Sequence, residues 1–477
     1  MSMGNFGMLF VFFFLTAALA SQLLLKTPKN KNIALLVFSL GFFACNGIGQ
    51  LVLLLCMVAI AWFAGMLLQV AQSEKQKKGF LIGSLVLILG ILVFFGYRQF
   101  FAEITHKLVK WPKAVPQIVM PLGMAYYSLG LISYLVDIYR GEIKAQTKYW
   151  LLLCYASLFP VSVGGPVVRY KEVRKCLFRR RTNLGSVSRG ISRFTIGLAK
   201  ASILAASLSA VAESILVEDT AMLALLPALS IWIGLLAYGL SVYLYLSAYA
   251  DMAIGIGLML GLVFPEQFNY PFMATSISDF WCRWQMTAVA FFRDYIHDPL
   301  GDGAEKKEIL ILIGVWMLLG LWMGPGMGFI LWAVFFLVLL ILERFVLKNS
   351  LESLPGILGR VFTLLLVYIS FVLLWCQDIS LLPSMLKGMI GVTSGGLVSK
   401  ASVLTLVNDL PILILGVAAV TPLGTMLRKK LTEKAQTSTA AMVADSLWEG
   451  LHPVLLLILS AMAMTGLTTN PFLFFQI

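Results

Sequence analysis

The sequence contains little charge and few of the side chains that carry out chemistry in soluble enzymes. Asp, Glu, Lys and Arg make up 12% of its 477 residues and histidine occurs three times, whereas about a quarter of the residues in an ordinary soluble domain are charged. Its six cysteines lie far apart and form no Cys-x-x-Cys pair, so the sequence indicates neither a disulfide framework nor a zinc site. These shortages argue against a soluble domain, and we expect no metal centre.

Hydrophobic residues make up most of the chain. They account for 60% of it, and the mean hydropathy is +0.90. Because a helix needs about 20 apolar residues to cross the hydrocarbon, the apolar runs predict an all-α polytopic membrane protein with roughly 10 to 13 membrane helices. The predicted spans include 149–166, 222–246 and 249–264. The run at 8–25 is expected to be a retained helix, since no small-residue cleavage site follows it.

Several apolar runs are too short to cross a bilayer alone. Irregular backbone persists at membrane depth only where protein encloses it or where it borders a water-filled cavity. We therefore expect short or re-entrant helices around a central tunnel. The sequence shows no internal repeat, long linker or low-complexity tract, so we expect a single membrane domain over residues 1–477.

The net charge of +13 comes from basic residues in short loops between apolar runs. Such loops lie on the cytoplasmic side and set the orientation of a membrane protein. We assign that side to residues 72–78, 169–189 and 428–434. Because the basic residues are accounted for by topology, we expect a membrane-embedded protein without a nucleic-acid partner.

Residues 278–301, SDFWCRWQMTAVAFFRDYIHDPLG, form the most polar long segment of this apolar chain; we refer to them as the central stretch. Their spacing predicts one amphipathic helix that Pro299 and Gly301 stop, in which Asp279 and Arg283 can pair. Periodicity alone leaves two interpretations open: an interfacial helix at the lipid headgroups, or a helix lining a groove where a basic side chain meets an anionic donor. The aromatic stripe consists of Phe280, Trp281, Trp284, Phe291, Phe292 and Tyr295, and the polar stripe of Asp279, Arg283, Thr287 and Asp294.

Three further segments resemble motifs of one membrane protein family. MPLGMAYYSLGLISYLVDIYRGEIKA (120–145) resembles a PLG…ISYLVDVYRG segment, and SLFPVSVGGPVVRYKEV (157–173) resembles an FFP…GPIVRY loop. YADMAIGIGLMLGLVFPEQFNYPF (249–272) resembles an SDMAIG…FPENFNYP run that leads into the central stretch. On these motifs the chain is similar to the bacterial branch of the membrane-bound O-acyltransferase (MBOAT) family. The similarity is detailed over residues 117–345, where several independent motifs occur in the family's order.

The resemblance implies an MBOAT-like helical bundle around a tunnel open to both sides of the membrane. It implies transfer of an acyl group, expected to be acetyl, from a cytoplasmic thioester to a hydroxyl of an extracytoplasmic polysaccharide or cell-wall polymer. Acyl-CoA or an acyl carrier protein is the expected donor, with no other cofactor bound. The expected partner is an extracytoplasmic acyltransferase or a polymer-synthesis complex, and the expected location is the bacterial cytoplasmic membrane.

Both histidines that the family places at its active site are replaced. Where the family has its general base in a Trp-His-Gly motif, this chain has Trp322, Met323 and Gly324; where the branch has Arg-Trp-His, the last position is Gln285. A thioether cannot accept a proton at physiological pH, whereas the Gln285 amide can orient a substrate or hold an oxyanion. Loss of a general base typically costs a factor of about 10²–10⁴ in rate, so an active enzyme would need a substitute.

Two side chains of the central stretch are candidate substitutes. His297 has Asp298 beside it as an orienting carboxylate, although a capping or interfacial histidine is the commoner case. Cys282 could accept an acyl group from a thioester, although buried cysteines usually only pack. Residues 324–326, Gly-Pro-Gly, form either a loop between two spans or a helix break that presents Met323 to the tunnel.

The remaining candidates would line the substrate tunnel or bind the donor. Arg169 and Tyr170 open a basic loop that either only sets topology or meets the phosphates of a cofactor or the acidic surface of a carrier protein. Arg283 and Arg293 are the cations that would meet an anionic donor. The tunnel or donor-binding candidates are Asp279, Trp281, Arg283, Trp284, Arg293, Asp294, Trp322, Arg169 and Tyr170.

Three functions remain open from the sequence. The first is an active O-acyltransferase in which the substrate, Gln285 or His297 replaces the lost imidazole. The second is a catalytically inactive homologue that acts as a scaffold, a regulator or a binder of acylated lipid. The third is a transporter that reuses the tunnel, since a fold does not fix a function.

Overall fold

A computed structural model describes residues 7–109, 120–180, 182–301, 305–346, 356–436 and 438–466. Every regular element within these ranges is a helix. This confirms the prediction of an all-α polytopic membrane protein.

In the first half of the chain, long apolar helices alternate with short ones. Two of the long helices, the first and the ninth, each contain a π-helical stretch, Phe10–Leu15 and Lys200–Ala205. The order is α1 (Gly7–Leu24), α2 (Pro28–Cys45), α3 (Ile48–Val70), α4 (Glu74–Val109), α5 (Met124–Tyr139), α6 (Tyr149–Ala156), α7 (Phe159–Ser162), α8 (Tyr170–Phe178), α9 (Leu184–Ile215), α10 (Thr220–Leu223) and α11 (Ala228–Met259).

The second half opens with the short helices of the central stretch and continues with further long ones. A π-helical turn, Arg293–His297, joins the second and third of these short helices. The order is α12 (Ile277–Arg283), α13 (Met286–Phe292), α14 (Asp298–Leu300), α15 (Glu305–Met323), α16 (Met327–Val346), α17 (Gly356–Trp375), α18 (Leu382–Met389), α19 (Lys400–Ala419), α20 (Leu423–Ala435) and α21 (Thr439–Gly466).

Within the described ranges, nine helices are long and apolar enough to cross a membrane: α1, α3, α4, α9, α11, α16, α17, α19 and α21. Other apolar helices, such as α5 with 16 residues and α6 with 8, are too short to cross alone. Short helices packed among spanning ones were expected from the sequence. The nine spanning helices fall just below the predicted range because that range also counted short apolar runs.

Two predicted spans, 222–246 and 249–264, are in fact one helix, α11. The predicted boundary falls between residues 246 and 249, close to Asp251, whose carboxylate is costly in an apolar run unless it is paired. In the structure Arg193 Nε and Lys200 Nζ of α9 lie 2.6 and 2.7 Å from the two Asp251 carboxylate oxygens. The paired charge allows α11 to continue to Met259.

Helices α9 and α11 approach each other closely through glycines. A Cβ atom at Gly190 would lie 2.6 Å from the Gly255 carbonyl oxygen, and one at Gly197 would lie 2.7 Å from the Ala248 carbonyl oxygen. Small residues at such crossings let membrane helices gain packing contacts along their backbones. This pair therefore forms a rigid wall of the bundle.

The predicted span 149–166 is wrong as a single helix. It divides into α6 and α7, with Leu158 in an extended conformation between them. Pro160 supplies no backbone N–H and sits in the first turn of α7, where helices tolerate proline. The chain then turns at Gly164 and Gly165 and leads to Arg169 at the start of α8.

Candidate functional site

The central stretch is helical but it is not the single helix that its periodicity predicts. Helices α12 and α13 are separated at Trp284 and Gln285, and Gln285 has a left-handed φ of +45°. Outside the central stretch, segment 267–269 replaces the missing helical bonds: Asn269 N donates to Arg283 O at 3.0 Å and Met286 N donates to Gln267 O at 2.9 Å. Periodicity could not reveal this break because it depends on backbone partners from another segment.

Glu343 of α16 holds the start of α12. Its carboxylate accepts hydrogen bonds from Ile277 N at 2.7 Å and Ser278 N at 3.1 Å. The predicted pair is also present, with Arg283 Nε donating to Asp279 Oδ1 at 2.7 Å. Arg283 is thus paired within its own helix, and its side chain is less exposed than that of Arg293, which is also paired with a carboxylate.

Trp281 and Trp284 lie in a buried aromatic cluster and not on an open surface. The Trp281 ring lies 4.6 Å from that of Trp316 in α15, and Trp284 lies 5.4 Å from Phe280 and 5.8 Å from Tyr243 in α11. Their indole N–H groups have no hydrogen-bond acceptor among the described residues. These contacts show that the two tryptophans fasten the central stretch to α11 and α15.

Gln285 forms a buried amide pair with Gln267. The two residues are 6% and 1% exposed, and Gln267 Nε2 donates to Gln285 Oε1 at 3.4 Å. The Gln267 Oε1 atom has no partner among the described residues. The position of the family's second histidine therefore holds a neutral donor and acceptor in an enclosed space. Gln267 was missed by sequence reasoning, although it stands where the resembled FPENFNYP run has asparagine.

Asp294 lies between two arginines. Arg169 Nη1 and Arg293 Nε donate to its two carboxylate oxygens, each at 2.8 Å, and Arg140 Nη2 donates to its backbone oxygen at 3.0 Å. Partial burial raises the pKa of the Asp294 carboxyl, but the hydrogen bonds and charges of Arg293 and Arg169 outweigh it and hold this pKa below its ordinary value. The structure thus brings Arg169 to Asp294, which lies 125 positions later in the chain, next to Arg293.

Tyr295 extends this network into the protein. Its hydroxyl donates to Asp137 Oδ1 at 2.7 Å, and the cations of Arg140, Arg169 and Lys171 lie 5.1, 5.1 and 5.8 Å from its ring centre. Burial and the nearby Asp137 carboxylate raise the pKa of the Tyr295 phenol well above its ordinary range, so the phenol stays protonated. We refer to these residues with Asp294 as the Tyr295 network.

Asp137 was not singled out from the sequence. It is fully buried at the end of α5, and its Oδ2 atom has no partner among the described residues. A lone acid in an otherwise apolar run was the available signal, because such residues are functional candidates by default. Tyr170, by contrast, packs: it is 1% exposed, its hydroxyl accepts from Gln146, and its ring meets Tyr134 edge-on at 5.2 Å.

Met323 is the last residue of α15, and residues 324–326 break the helix before α16 begins. Beside it, Trp322 Nε1 donates to Ala125 O at 3.4 Å, and its ring lies 5.6 Å from Tyr126 and 6.4 Å from Phe292. These neighbours are a carbonyl and two aromatic rings, none of which accepts a proton from an attacking hydroxyl.

His297 lies at the other end of α15. Its Nδ1 is 2.9 Å from Asp298 Oδ1 and its Nε2 is 3.8 Å from Glu308 Oε1, while Arg344 also pairs with Glu308. Glu308 precedes Met323 by 15 residues, which is about 22 Å along a helix. The structure therefore does not bring His297 to Met323. Among the described residues, no cluster of His, Cys, Asp and Glu could hold a metal ion.

A cavity lies between α5, α6, α7 and the segment before Arg169. Its lining includes Tyr126, Tyr127, Tyr155 and Val167, and it encloses about 380 Å³ with its open mouth. Tyr126 also contacts Trp322, and Val167 N donates to Thr287 Oγ1 of α13 at 3.0 Å. The cavity thus borders both the helix end at Met323 and the central stretch.

Comparison with known proteins matches this architecture to a family. The model of the membrane-bound O-acyltransferase family matches residues 142–385, which include α8 to α17 and the whole central stretch. The chain belongs to the MBOAT family. The nine apolar helices found among the described residues, together with its bacterial relatives, make it a multi-pass protein of the bacterial cell membrane.

Relatives of this MBOAT protein come from three polymer systems. It is 28% identical to the probable alginate O-acetylase of Pseudomonas aeruginosa, over 80% of this chain and 73% of that protein. It is 28% identical to the peptidoglycan O-acetyltransferase of Helicobacter pylori, over 80% and 79%. It is 26% identical to the teichoic acid D-alanyltransferase of Bacillus subtilis, over 63% and 77%. These relatives are transferases that act on polysaccharides or cell-wall polymers.

Proposed function

We propose that this MBOAT protein serves in the O-acylation of an extracytoplasmic polysaccharide or cell-wall polymer as a member that does not itself catalyse transfer. It binds the acyl donor or the partner proteins of the system, and a histidine-bearing MBOAT or an extracytoplasmic acyltransferase completes the transfer. The acyl group is acetyl in the simplest case. Acyl-CoA or an acyl carrier protein supplies it from the cytoplasm.

The observations that carry this proposal are Met323 at the position of the family's general base and the contacts of its neighbour Trp322. Attack of a hydroxyl on a thioester requires removal of the hydroxyl proton and stabilisation of the oxyanion. The thioether of Met323 cannot take that proton, and the contacts of Trp322 beside it are aromatic rings and a carbonyl. His297 is held near Glu308, at the far end of α15.

The Tyr295 network and the neighbouring Arg293 support retention of a donor-side function. Arg293 presents a side chain that is 61% exposed, next to Arg140 and Lys171, whose side chains are about 30% exposed. Lys171 belongs to the basic loop 169–189, and such loops are expected on the cytoplasmic side of the membrane. Exposed cations there suit the phosphates of acyl-CoA or the acidic surface of a carrier protein.

The test compares wild type with Met323→His in membranes that contain the polymer, supplied with labelled acetyl-CoA or acetylated carrier protein. We expect donor binding by both forms and covalent labelling of the polymer that rises only with Met323→His. Arg293→Gln should weaken donor binding by both forms. Transfer by wild-type protein, purified free of other acyltransferases, would contradict the proposal.

A second candidate is an acyltransferase with a rewired site, and the conformation of Gln285 favours it. Non-glycine residues with positive φ store strain and cluster at functional sites. Among the described non-glycine residues only Tyr270 shares this feature with Gln285. If the Gln267–Gln285 pair holds the oxyanion, wild type transfers the label, Gln285→Ala abolishes transfer, and His297→Ala leaves it unchanged.

A further inference from the structure

A second cavity lies on the other side of segment 159–165, between α1, α2, α9 and α11. We propose that this cleft binds one alkyl chain of a membrane lipid, with the polar end of the lipid on the extracytoplasmic side. The inference is independent of whether the protein transfers an acyl group. It rests on the walls, the mouth and the membrane setting of the cleft.

One wall of the cleft is aromatic. The rings of Phe10, Phe42 and Phe159 lie 6.0 to 6.3 Å from one another, and all three line the cleft. Phe10 and Phe42 come from α1 and α2, which are only partly buried by the rest of the protein. Such an aromatic wall offers dispersion contacts to an alkyl chain without requiring a polar partner.

The opposite wall is one stripe of α11. Tyr249, Met252, Ala253 and Ile256 recur at helical spacing, and each is at most 4% exposed. Asp251 is turned away from this stripe and pairs with Arg193 and Lys200 of α9. The charges of this region are therefore satisfied by each other and not by a ligand in the cleft.

The base of the cleft is backbone. A Cβ atom at Gly165 would lie 2.9 Å from the Ala253 Cβ, so the chain presses directly against α11. Neither Gly164 nor Gly165 places a side chain in the cleft, although both line it. The open space between these walls amounts to about 650 Å³ when its mouth is included.

Asn46 marks the polar end of the cleft. It follows the last residue of α2, and its Nδ2 donates to Phe42 O at 2.9 Å. The other end of α2 is fixed by Arg180 of the basic loop, which donates to Asn32 Oδ1 at 3.0 Å. Helix α3, which is long and apolar enough to cross the membrane, begins two residues after Asn46 and ends just before the basic loop 72–78. Because that loop is assigned to the cytoplasm, Asn46 lies on the extracytoplasmic side, and a lipid entering there would leave its headgroup near it.

The membrane setting identifies the occupant. Unfilled apolar space forfeits dispersion contacts, and apolar cavities do not hold water well. The molecules that surround α1 and α2 in a bilayer are lipid chains. An alkyl chain from the bilayer supplies the missing contacts, whereas a sugar polymer or a coenzyme phosphate would find no hydrogen-bonding wall.

The test uses phosphatidylglycerol with a diazirine in its acyl chain, in vesicles of phosphatidylethanolamine and phosphatidylglycerol that contain the full-length protein. After irradiation, peptide mass spectrometry locates the labelled residues. We expect label at Met252, Ile256 and Phe159 of the cleft in addition to the lipid-facing Val37 of α2, which is 63% exposed. Label confined to outward-facing residues such as Val37 would overturn the proposal.

Two variants should change cleft labelling in opposite directions, which a general folding defect would not do. Val163→Trp fills the cleft and should abolish label at Met252 and Ile256, whereas Phe42→Ala widens it and should increase that label. Val37→Trp, a substitution of the same type on the outer face of α2, should leave cleft labelling unchanged. Each variant is first checked for a monodisperse elution profile. Equal cleft labelling in Val163→Trp and Phe42→Ala would show that lipid does not occupy this space.

Discussion

The hydroxyl of Tyr295 donates a 2.7 Å hydrogen bond to the carboxylate of Asp137, a residue 158 positions earlier in the chain. The bond ties the central stretch to the end of α5. Lys171 Nζ lies 3.5 Å from the same carboxylate oxygen. Because Asp137 is fully buried and its other oxygen has no partner among the described residues, the phenol is a main source of compensation for burying this acid.

Replacement of Tyr295 by phenylalanine should destabilise the protein. It leaves a buried carboxylate oxygen without its phenol donor, which costs roughly 1–3 kcal/mol in the free energy of unfolding. Thermal unfolding in detergent measures the change. The matched control is Tyr270→Phe, which removes an exposed 3.3 Å bond to Thr425 and should have a smaller effect. An equal drop in unfolding temperature in the two variants would show that the buried bond to Asp137 stabilises the protein no more than an exposed bond does.

Acid should weaken the attachment of the central stretch through Asp294. Its pKa is lower in the folded protein than the 3.8 of an ordinary aspartate, because hydrogen bonds and charge from Arg293 and Arg169 outweigh partial burial. A lowered pKa contributes stability that is complete above about pH 4 and is lost as the pH falls through the folded value. The unfolding temperature of wild type should therefore approach that of Asp294→Asn below about pH 4. Glu433→Gln, in an exposed pair with Lys429, should keep the wild-type pH profile.

Loss of the Glu343 carboxylate should loosen the start of α12. Glu343→Ala leaves the N–H groups of Ile277 and Ser278 without their acceptor, and comparable losses at helix N-termini cost about 0.5–2 kcal/mol. Hydrogen exchange of residues 277–283 should increase along with a lower unfolding temperature. Glu433→Ala serves as the control on an exposed helix. Unchanged exchange at α12 would contradict the capping role.

Much of the fold could be predicted because composition and hydrophobic run length report directly on the membrane. The spans that were wrong depended on tertiary contacts. The spans 222–246 and 249–264 were predicted as two helices, but α11 runs through both, and Arg193 and Lys200 of α9 neutralise Asp251 within it. The break at Gln285 also escaped detection, because backbone bonds from segment 267–269 replace the helical ones.

The candidate site could be predicted in part. The pair of Asp279 and Arg283 follows from helical spacing alone and is present. The contacts of Arg169 with Asp294, and of Asp137 with Tyr295, join residues more than 100 positions apart, so no local pattern reveals them. Trp281 and Trp284 were predicted as tunnel candidates from their motif. Their burial within an aromatic cluster depends on contacts with α11, α15 and α16, which no local pattern reveals.

Removal of the Asp251 carboxylate should strongly destabilise the pair of α9 and α11. Asp251→Ala leaves Arg193 and Lys200 without this partner inside membrane-spanning segments, and breaking a buried pair typically costs roughly 3–5 kcal/mol. Ser247→Ala, one turn away on α11, removes only a 3.5 Å contact with Lys200 and should change stability little. Unfolding in detergent measures both variants. Arg193 keeps Glu266 as a second carboxylate partner, so the uncompensated charge falls mainly on Lys200. A mild effect of Asp251→Ala would mean that this cation finds compensation from lipid or water.

Glycine should be tolerated at position 285 and valine should not. Gln285 has a φ of +45°, a conformation that glycine adopts freely and that costs other residues roughly 1–3 kcal/mol. Gln285→Gly should therefore leave the unfolding free energy nearly unchanged, because relief of strain offsets the lost 3.4 Å bond to Gln267. Gln285→Val should lower it, since a β-branched side chain crowds this backbone. At Met286, in the first turn of α13, glycine should instead be destabilising by about 1 kcal/mol. Destabilisation by glycine at both positions would show that the amide pair, and not the backbone, determines the fold at this break.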